Sequence, residues 1–290
     1  MSNYEDIWYE SEDGLKLYAR DYKNESSDIT ILCMHGLTRN SADFTNICNI
    51  LHKDYRLISV DVRGRGKSDR DPNIDNYQPP TYVGDMFTLL KTLEERGDDL
   101  KKVVMMGTSM GGLMSMLMIS LDASKFAGVI MNDIGPEVDQ AGLDRIKGYS
   151  DKYITINNWD DAAEQTRILN EIAFPHYTKE KWMEFASQLY VEDENGVPKM
   201  AYDQDIFTAI ANASENAVPP DLWGLFRLTN ALPTLLIRGE TSDILHSDCA
   251  AKMQEENPTM VFAQIKGIGH APMLDEPDTV EAIKSFLEGI

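Results

Sequence analysis

The chain has 290 residues, 42% of them hydrophobic and 26% charged, a globular balance with room for one large domain or a domain carrying an insertion. Its formal net charge of −21 argues against nucleic acid or an anionic membrane surface as a partner, because both carry the same sign. The cysteines Cys33, Cys48 and Cys249 are scattered, and the five histidines form no HExxH or HxxxH pair, so neither a metal site nor a disulfide framework is implied.

The first residues, "MSNYEDIWYESEDG", lack the basic-then-apolar pattern of a signal peptide. No apolar stretch reaches the length of a membrane span. Cytoplasmic residence with reduced thiols is the simplest expectation. Two alternating runs, "IWYES" and "LKLYARDY", flank Asp13-Gly14 and predict a β-hairpin. Four near-continuous apolar runs follow: "ITILCMHG", "YRLISVDVRG", "KVVMMGTS" and "FAGVIMNDIG". Two more, "PTLLIRGE" and "MVFAQIKGIG", come near the end. Runs of this kind are buried on both faces, as parallel strands are.

Helical patterns separate the runs. "SADFTNICNILH" takes Ser41 as its N-cap. "TYVGDMFTLLKTLEER" carries Met86, Leu89, Leu90 and Leu93 at helical spacing. "DTVEAIKSFLEGI" carries Val280, Ile283, Phe286 and Leu287 on one face. The alternation of strand and helix predicts an open α/β sheet with helices on both faces. It breaks between residues 135 and 228, where two amphipathic helices, "NNWDDAAEQTRILNEI" and "TKEKWMEFASQLY", replace buried strand runs. The predicted organisation is a core of residues 1–134 and 229–290 with a helical cap, 135–228, inserted between two strands. Open α/β sheets bind ligands at the carboxyl ends of their strands, which such an insertion would roof.

Gly107-Thr108-Ser109-Met110-Gly111 matches G-x-S-x-G between a strand pattern and a helical one. In that context the serine sits on a strained turn with its hydroxyl above the sheet; the bland alternative is a serine that caps the helix. A serine needs a base, and His270 in "GIGHAP" lies just beyond the last strand run, at the same sheet edge. His35 in "MHG" has a competing structural role, His52 closes a polar helix end, and His246 starts a helix. The base needs an acid. Asp243 in "RGETSD" gives the chain order Ser109, Asp243, His270 and is the favoured candidate, with Asp133 and Glu240 as rivals. The oxyanion hole takes one backbone N–H from Met110, the residue after the serine, and a second from Leu37. Arg39, close to that loop, either binds a carboxylate at the far end of a substrate or pairs with an acidic neighbour. His176, in the cap, is a further candidate for substrate contact. Gly66-Lys67-Ser68 ends like a phosphate-binding loop, but Asp61 stands where that motif requires glycine. Arg63 and Arg65 in the same stretch are expected to hold loops or acidic neighbours.

The residues "MHGLTRN", "DVRGRGKSD", "GTSMGG", "RGETSD" and "GIGHAP" together resemble the α/β-hydrolase superfamily. More closely, the chain is similar to small bacterial capped carboxylesterases and to the carbon–carbon hydrolases of meta-cleavage products. The resemblance implies an eight-stranded, mostly parallel sheet with a helical cap. It also implies a serine hydrolase that cleaves a small carboxylic ester through an acyl-enzyme, without metal or organic cofactor, as a monomer or homodimer. Its aspartate-nucleophile relatives, the epoxide hydrolases and haloalkane dehalogenases, are disfavoured by Ser109. Carbon–carbon hydrolysis of dienoates, lactone hydrolysis and cofactor-free perhydrolysis are the alternative chemistries. A slow-turnover ligand receptor is the alternative of another class.

Overall fold

The computed structural model describes residues 3–139, 142, 144, 145, 148, 152–214 and 221–290. Part of the expected cap, including 215–220, therefore lies outside the described residues. The hairpin forms as expected: β1 (Glu5–Glu10) pairs antiparallel with β2 (Lys16–Tyr22). Gly14 takes φ +86° in the connecting turn, a conformation glycine adopts without steric cost. The six apolar runs become β3 (Ile29–Met34), β4 (Arg56–Asp61), β5 (Lys102–Thr108), β6 (Phe126–Asn132), β9 (Thr234–Gly239) and β10 (Val261–Ile265). The eight strands form one sheet in the order β1-β2-β4-β3-β5-β6-β9-β10, antiparallel where β2 meets β1 and β4 and parallel at every other pairing.

Strand periodicity separates the core into two layers. Leu32 and Met34 of β3 and Val103 and Met105 of β5 face one apolar layer, with Met86, Leu89 and Leu93 of α2 (Pro79–Glu95) and Met114 of α3 (Met110–Asp122). Ile31, Cys33, Val104 and Met106 face the other, with Ile47 and Leu51 of α1 (Thr45–Leu51) and Ile283, Phe286 and Leu287 near the C-terminus. Alternation by two along buried strands thus supplies both faces with apolar side chains, and helices cover both. Ser41 is not a cap. A 3-10 turn at Ser41–Phe44 precedes α1, and the side chain of Asn40, the residue with extended backbone, accepts from the N–H of Ala42. The Ser41 N–H instead donates to Asp61 at 2.6 Å.

Between β6 and β9 the expected helices are α4 (Trp159–Asn170) and α5 (Lys179–Leu189), capped by Asn158 and Thr178. They are followed by a two-stranded antiparallel ribbon, β7 (Tyr190–Glu192) with β8 (Pro198–Met200), and by α6 (Asp205–Ser214) and α7 (Leu222–Leu228). The segment has its own apolar nucleus, in which Phe174, Trp182, Phe185 and Tyr190 are buried together. Beyond β9, α8 (Ser247–Glu256) and α9 (Pro277–Leu287) complete the fold, and His246 is the N-cap of α8.

Candidate active site

Ser109 lies between the end of β5 and the start of α3 with φ 52° and ψ −111°. That strain is tolerated only where the surroundings impose it. Two glycines make the turn possible. A Cβ on Gly107 would stand 2.3 Å from the carbonyl of Gly111, and one on Gly111 would stand 2.0 Å from the carbonyl oxygen of Met34. The backbone N–H of Ser109 donates to Asn132 O at 2.9 Å, tying the turn to β6. Although Ser109 is formally the N-cap of α3, its side chain makes no capping hydrogen bond. Its Oγ lies 3.0 Å from His270 Nε2 instead.

His270 sits in the loop after β10. Gly269 N–H donates to Ala173 O at 2.8 Å, and the amide of Asn132 donates to Pro272 O at 2.8 Å, bracketing the histidine on both sides. The other ring nitrogen, Nδ1, is 2.8 Å from Asp133 Oδ2. A carboxylate only accepts, so Nδ1 carries the proton and Nε2 is free to accept from the serine. The acid on His270 is therefore Asp133 and not the favoured Asp243. Asp133 follows β6 with φ 57° and is fully buried. Its carboxylate also accepts from Gly239 N–H at 2.8 Å and from Ser242 Oγ at 2.6 Å, so the β9 side of the sheet holds the carboxylate in place.

Asp243 is occupied elsewhere. Both its oxygens accept from Arg145, at 2.5 and 2.8 Å. Burial pushes its carboxyl up, but the hydrogen bonds and charge of Arg145, with a smaller pull from His270, hold it below the ordinary carboxylate range. The third candidate, Glu240, accepts from the backbone of Gly267 at 2.8 Å.

The loop after β3 lies against the serine: a Cβ on Gly36 would be 3.8 Å from Ser109 Cβ. A turn closed by Arg39 N–H to Gly36 O at 3.2 Å does not draw on the Leu37 N–H. Met110 opens α3, where the first amides have no partner within the helix. His35 supports the loop from behind. Its Nδ1 donates to Gly36 O at 2.7 Å and its Nε2 accepts from Val62 N–H at 3.1 Å. Burial lowers its pKa to about 3, which keeps the ring neutral and leaves it a structural part.

Ser109, His270, Leu37 and Arg39 open onto one pocket. Its other walls come from α4, the end of α5, the ribbon and the residues just after it, including Leu169, Asn170, Leu189, Tyr190, Met200 and Tyr202. The sequence marks Leu169 and Leu189 only as apolar helix-face positions and does not single out the others; a helix face read from periodicity does not say which of its residues meets the sheet edge. The ribbon itself had one signal, Asn195-Gly196 at its turn, where Gly196 takes φ +74°. His176 is exposed and packs beside Gly267, away from the pocket lining. Arg39 lines the pocket, but its guanidinium donates to the half-buried Asp43 at 2.7 Å and stacks 4.3 Å from the Phe185 ring. Its charge is already matched, so Arg39→Ala is expected to lower activity equally on neutral and anionic esters. A loss confined to anionic substrates in a paired kinetic comparison would restore the carboxylate role.

The Arg63 side chain, 2% exposed, donates to Asp85 through two nitrogens, at 2.6 and 2.7 Å, and to Asp71 and Asp13 at 2.5 and 2.7 Å. This cluster braces the loop after β4 against α2 and the hairpin turn and does not touch the pocket lining.

A strand–serine–helix turn, a histidine on the serine and a buried aspartate on the histidine, all at the carboxyl edge of a mostly parallel sheet, describe a hydrolase site. Residues 31–283 match the model of the alpha/beta hydrolase family. The chain belongs to that family and is a hydrolase of its type. It is 28% identical to a 3-hydroxybutyrate-oligomer hydrolase of Cupriavidus necator over 89% of this chain and 88% of that one. It is 26% identical to the esterase YbfF of Escherichia coli over 94% and 98%. Among solved structures, an alpha/beta hydrolase from Novosphingobium aromaticivorans superposes with a TM-score of 0.90 at 36% identity, over the whole of both chains. Among the described residues no helix is long and apolar enough to cross a membrane.

Proposed function

We propose that the protein is a serine hydrolase of small carboxylic esters. The observation that carries this reading is the alignment of Ser109 Oγ, His270 and Asp133 through contacts of 3.0 and 2.8 Å at the floor of the pocket. Ser109 attacks the ester carbonyl while His270 takes its proton. The N–H groups of Leu37 and Met110 receive the developing oxyanion, and His270 returns the proton to the leaving alcohol. Water, activated by the same histidine, then releases the acid. Asp133 holds the His270 tautomer and stabilises the imidazolium. The 135–228 segment is the cap, and the walls it contributes select the substrate.

Two features favour an ester over a charged dienoate. The one arginine on the pocket wall is neutralised by Asp43, and the remaining lining is apolar or uncharged apart from the His270 ring. Ester cleavage is also consistent with the names of the relatives described above. The test is release of p-nitrophenol from acetate and butyrate esters, run beside one dienoate substrate. Ser109→Ala is expected to lower kcat by at least about 10³-fold, since removing the nucleophile of such a triad leaves only binding and the oxyanion hole. Ester turnover that survives the substitution, or faster cleavage of the dienoate, would overturn the reading.

A further inference from the structure

Arg63 and Arg65 leave the same loop for different surroundings. Arg63 ends among three carboxylates. Arg65 is 1% exposed and joins no ion pair among the described residues. Its Nε donates to the carbonyl of Leu37 at 3.0 Å, and one terminal nitrogen donates to the carbonyl of Arg63 at 2.8 Å. The other terminal nitrogen lies 3.8 Å from Met110 Sδ. The rings of Tyr82 and Tyr77 stand 4.8 and 5.7 Å from the guanidinium. Asp203, on the far side of Tyr77, accepts from that hydroxyl at 2.7 Å.

A guanidinium stays protonated even when buried. Burial without a directly paired carboxylate is costly, and here carbonyl dipoles, a thioether, the two tyrosines and, beyond Tyr77, the Asp203 charge offset it in part. The negative charge absent from the resting site is what a tetrahedral intermediate brings. The two residues Arg65 touches from behind, Leu37 and Met110, are those whose N–H groups face that charge. The Arg65 loop is itself fixed on its other side. Gly66 N–H donates to Ala201 O at 2.7 Å, and Asp203 N–H donates to Gly64 O at 2.8 Å, either side of the pocket-lining Tyr202.

We propose that Arg65 is a positioning residue for the oxyanion hole. It holds the Leu37 turn and the Met110 side chain together, and it sets a fixed positive charge behind the two amides. The proposal rests on the ester-hydrolase reading and adds to it a cation that never touches substrate. Its contribution appears when the oxyanion forms and not when the neutral ester binds, which is the signature of preorganised electrostatics.

The experiment compares wild type with Arg65→Met and Arg65→Lys on p-nitrophenyl butyrate, and measures inhibition by an alkylboronic acid, whose adduct with the serine is tetrahedral and anionic. Arg65→Met, which removes the charge and all three donors, is expected to lower kcat by about 10–100-fold, less than the loss of a direct donor, with KM within about two-fold. The boronate inhibition constant is expected to rise by a similar factor. Arg65→Lys keeps the charge without the fork and is expected to fall between the two, which provides the reading if Arg65→Met does not fold. Unchanged kcat and boronate affinity in a folded variant would overturn the proposal, as would a loss that falls on KM alone. These outcomes are distinct from failure of the parent reading, which is ester turnover insensitive to Ser109→Ala in the otherwise unaltered protein.

Discussion

Asp133→Asn is expected to lower kcat for ester hydrolysis by about 10³–10⁴-fold, the scale seen when the acid of a serine triad loses its charge. Asn keeps the shape of the side chain and one oxygen for the Gly239 N–H or the Ser242 hydroxyl. It cannot supply the negative charge that stabilises the imidazolium, and its amide can force the wrong histidine tautomer. Asp243→Asn removes a charge bound to Arg145 and is expected to cost less than about 10-fold, because the hydrogen bond to the His270 ring comes from Asp133 and Asp243 acts on the ring only through its charge. Steady-state kinetics of both variants, with circular dichroism as a control for folding, decide the matter. The reverse ranking, with Asp243→Asn crippling and Asp133→Asn tolerated, would return the acid to the end of β9.

The largest effect on stability is expected at Arg63. Replacing it with Met leaves Asp71 and Asp85, each 3% exposed, without their cation, and breaking a buried pair from one side costs about 3–5 kcal/mol. Asp13, more exposed, adds little to this deficit. The cost depends on pH in a defined direction. Burial raises the Asp85 carboxyl above its ordinary value even against the pull of Arg63. A group whose folded-state pKa is raised favours folding in its protonated form, and that advantage is lost as pH rises through the folded value. Without Arg63 the raising effect of burial stands unopposed. The deficit of Arg63→Met is therefore expected to be largest near neutral pH and to shrink as the solution is acidified towards the folded-state pKa of Asp85. Urea denaturation of both proteins across that range measures it. A deficit that grows on acidification would contradict the assignment of the cost to stranded carboxylates.

The eight strands were legible because six are apolar runs ended by glycine or a charged turn and the hairpin pair alternates about Asp13-Gly14, and patterns of either kind are local properties. Ser109 and His270 were legible for a related reason: each follows such a run at the same sheet edge. The choice of acid was not local. Asp133 and Asp243 both follow strands at that edge, and what separates them is where three other groups went. Ser242 Oγ and Gly239 N–H turned towards Asp133, and Arg145 came from the inserted segment to take Asp243. None of these leaves a mark on the spacing of the sequence. The cap of the 3-10 turn before α1 shows the same limit on a smaller scale. Asn40 and Ser41 are both good caps by residue type; the one with extended backbone performs it, and Asp61, twenty residues on, claims the other's N–H. The ribbon β7–β8 fell below the length at which alternation is visible, since each strand has three residues.

Asp133 stands two residues ahead of Gly135, where the inserted segment departs. On the proposed reading all the reacting groups lie in two stretches of chain, up to Asp133 and from β9 onward, while seven of the fifteen residues that line the pocket lie between them. On that reading the chain is in effect a fixed engine with an exchangeable hood, and the seam has a definite position. A Cβ on Gly135 would press within 2.7 Å of Met253 Sδ and 2.8 Å of Leu245 Cδ1, so that glycine belongs to the engine. A foreign hood grafted onto this scaffold has to be spliced after Gly135; a cut three residues earlier, after Asn132, would take Asp133, the proposed acid, with it.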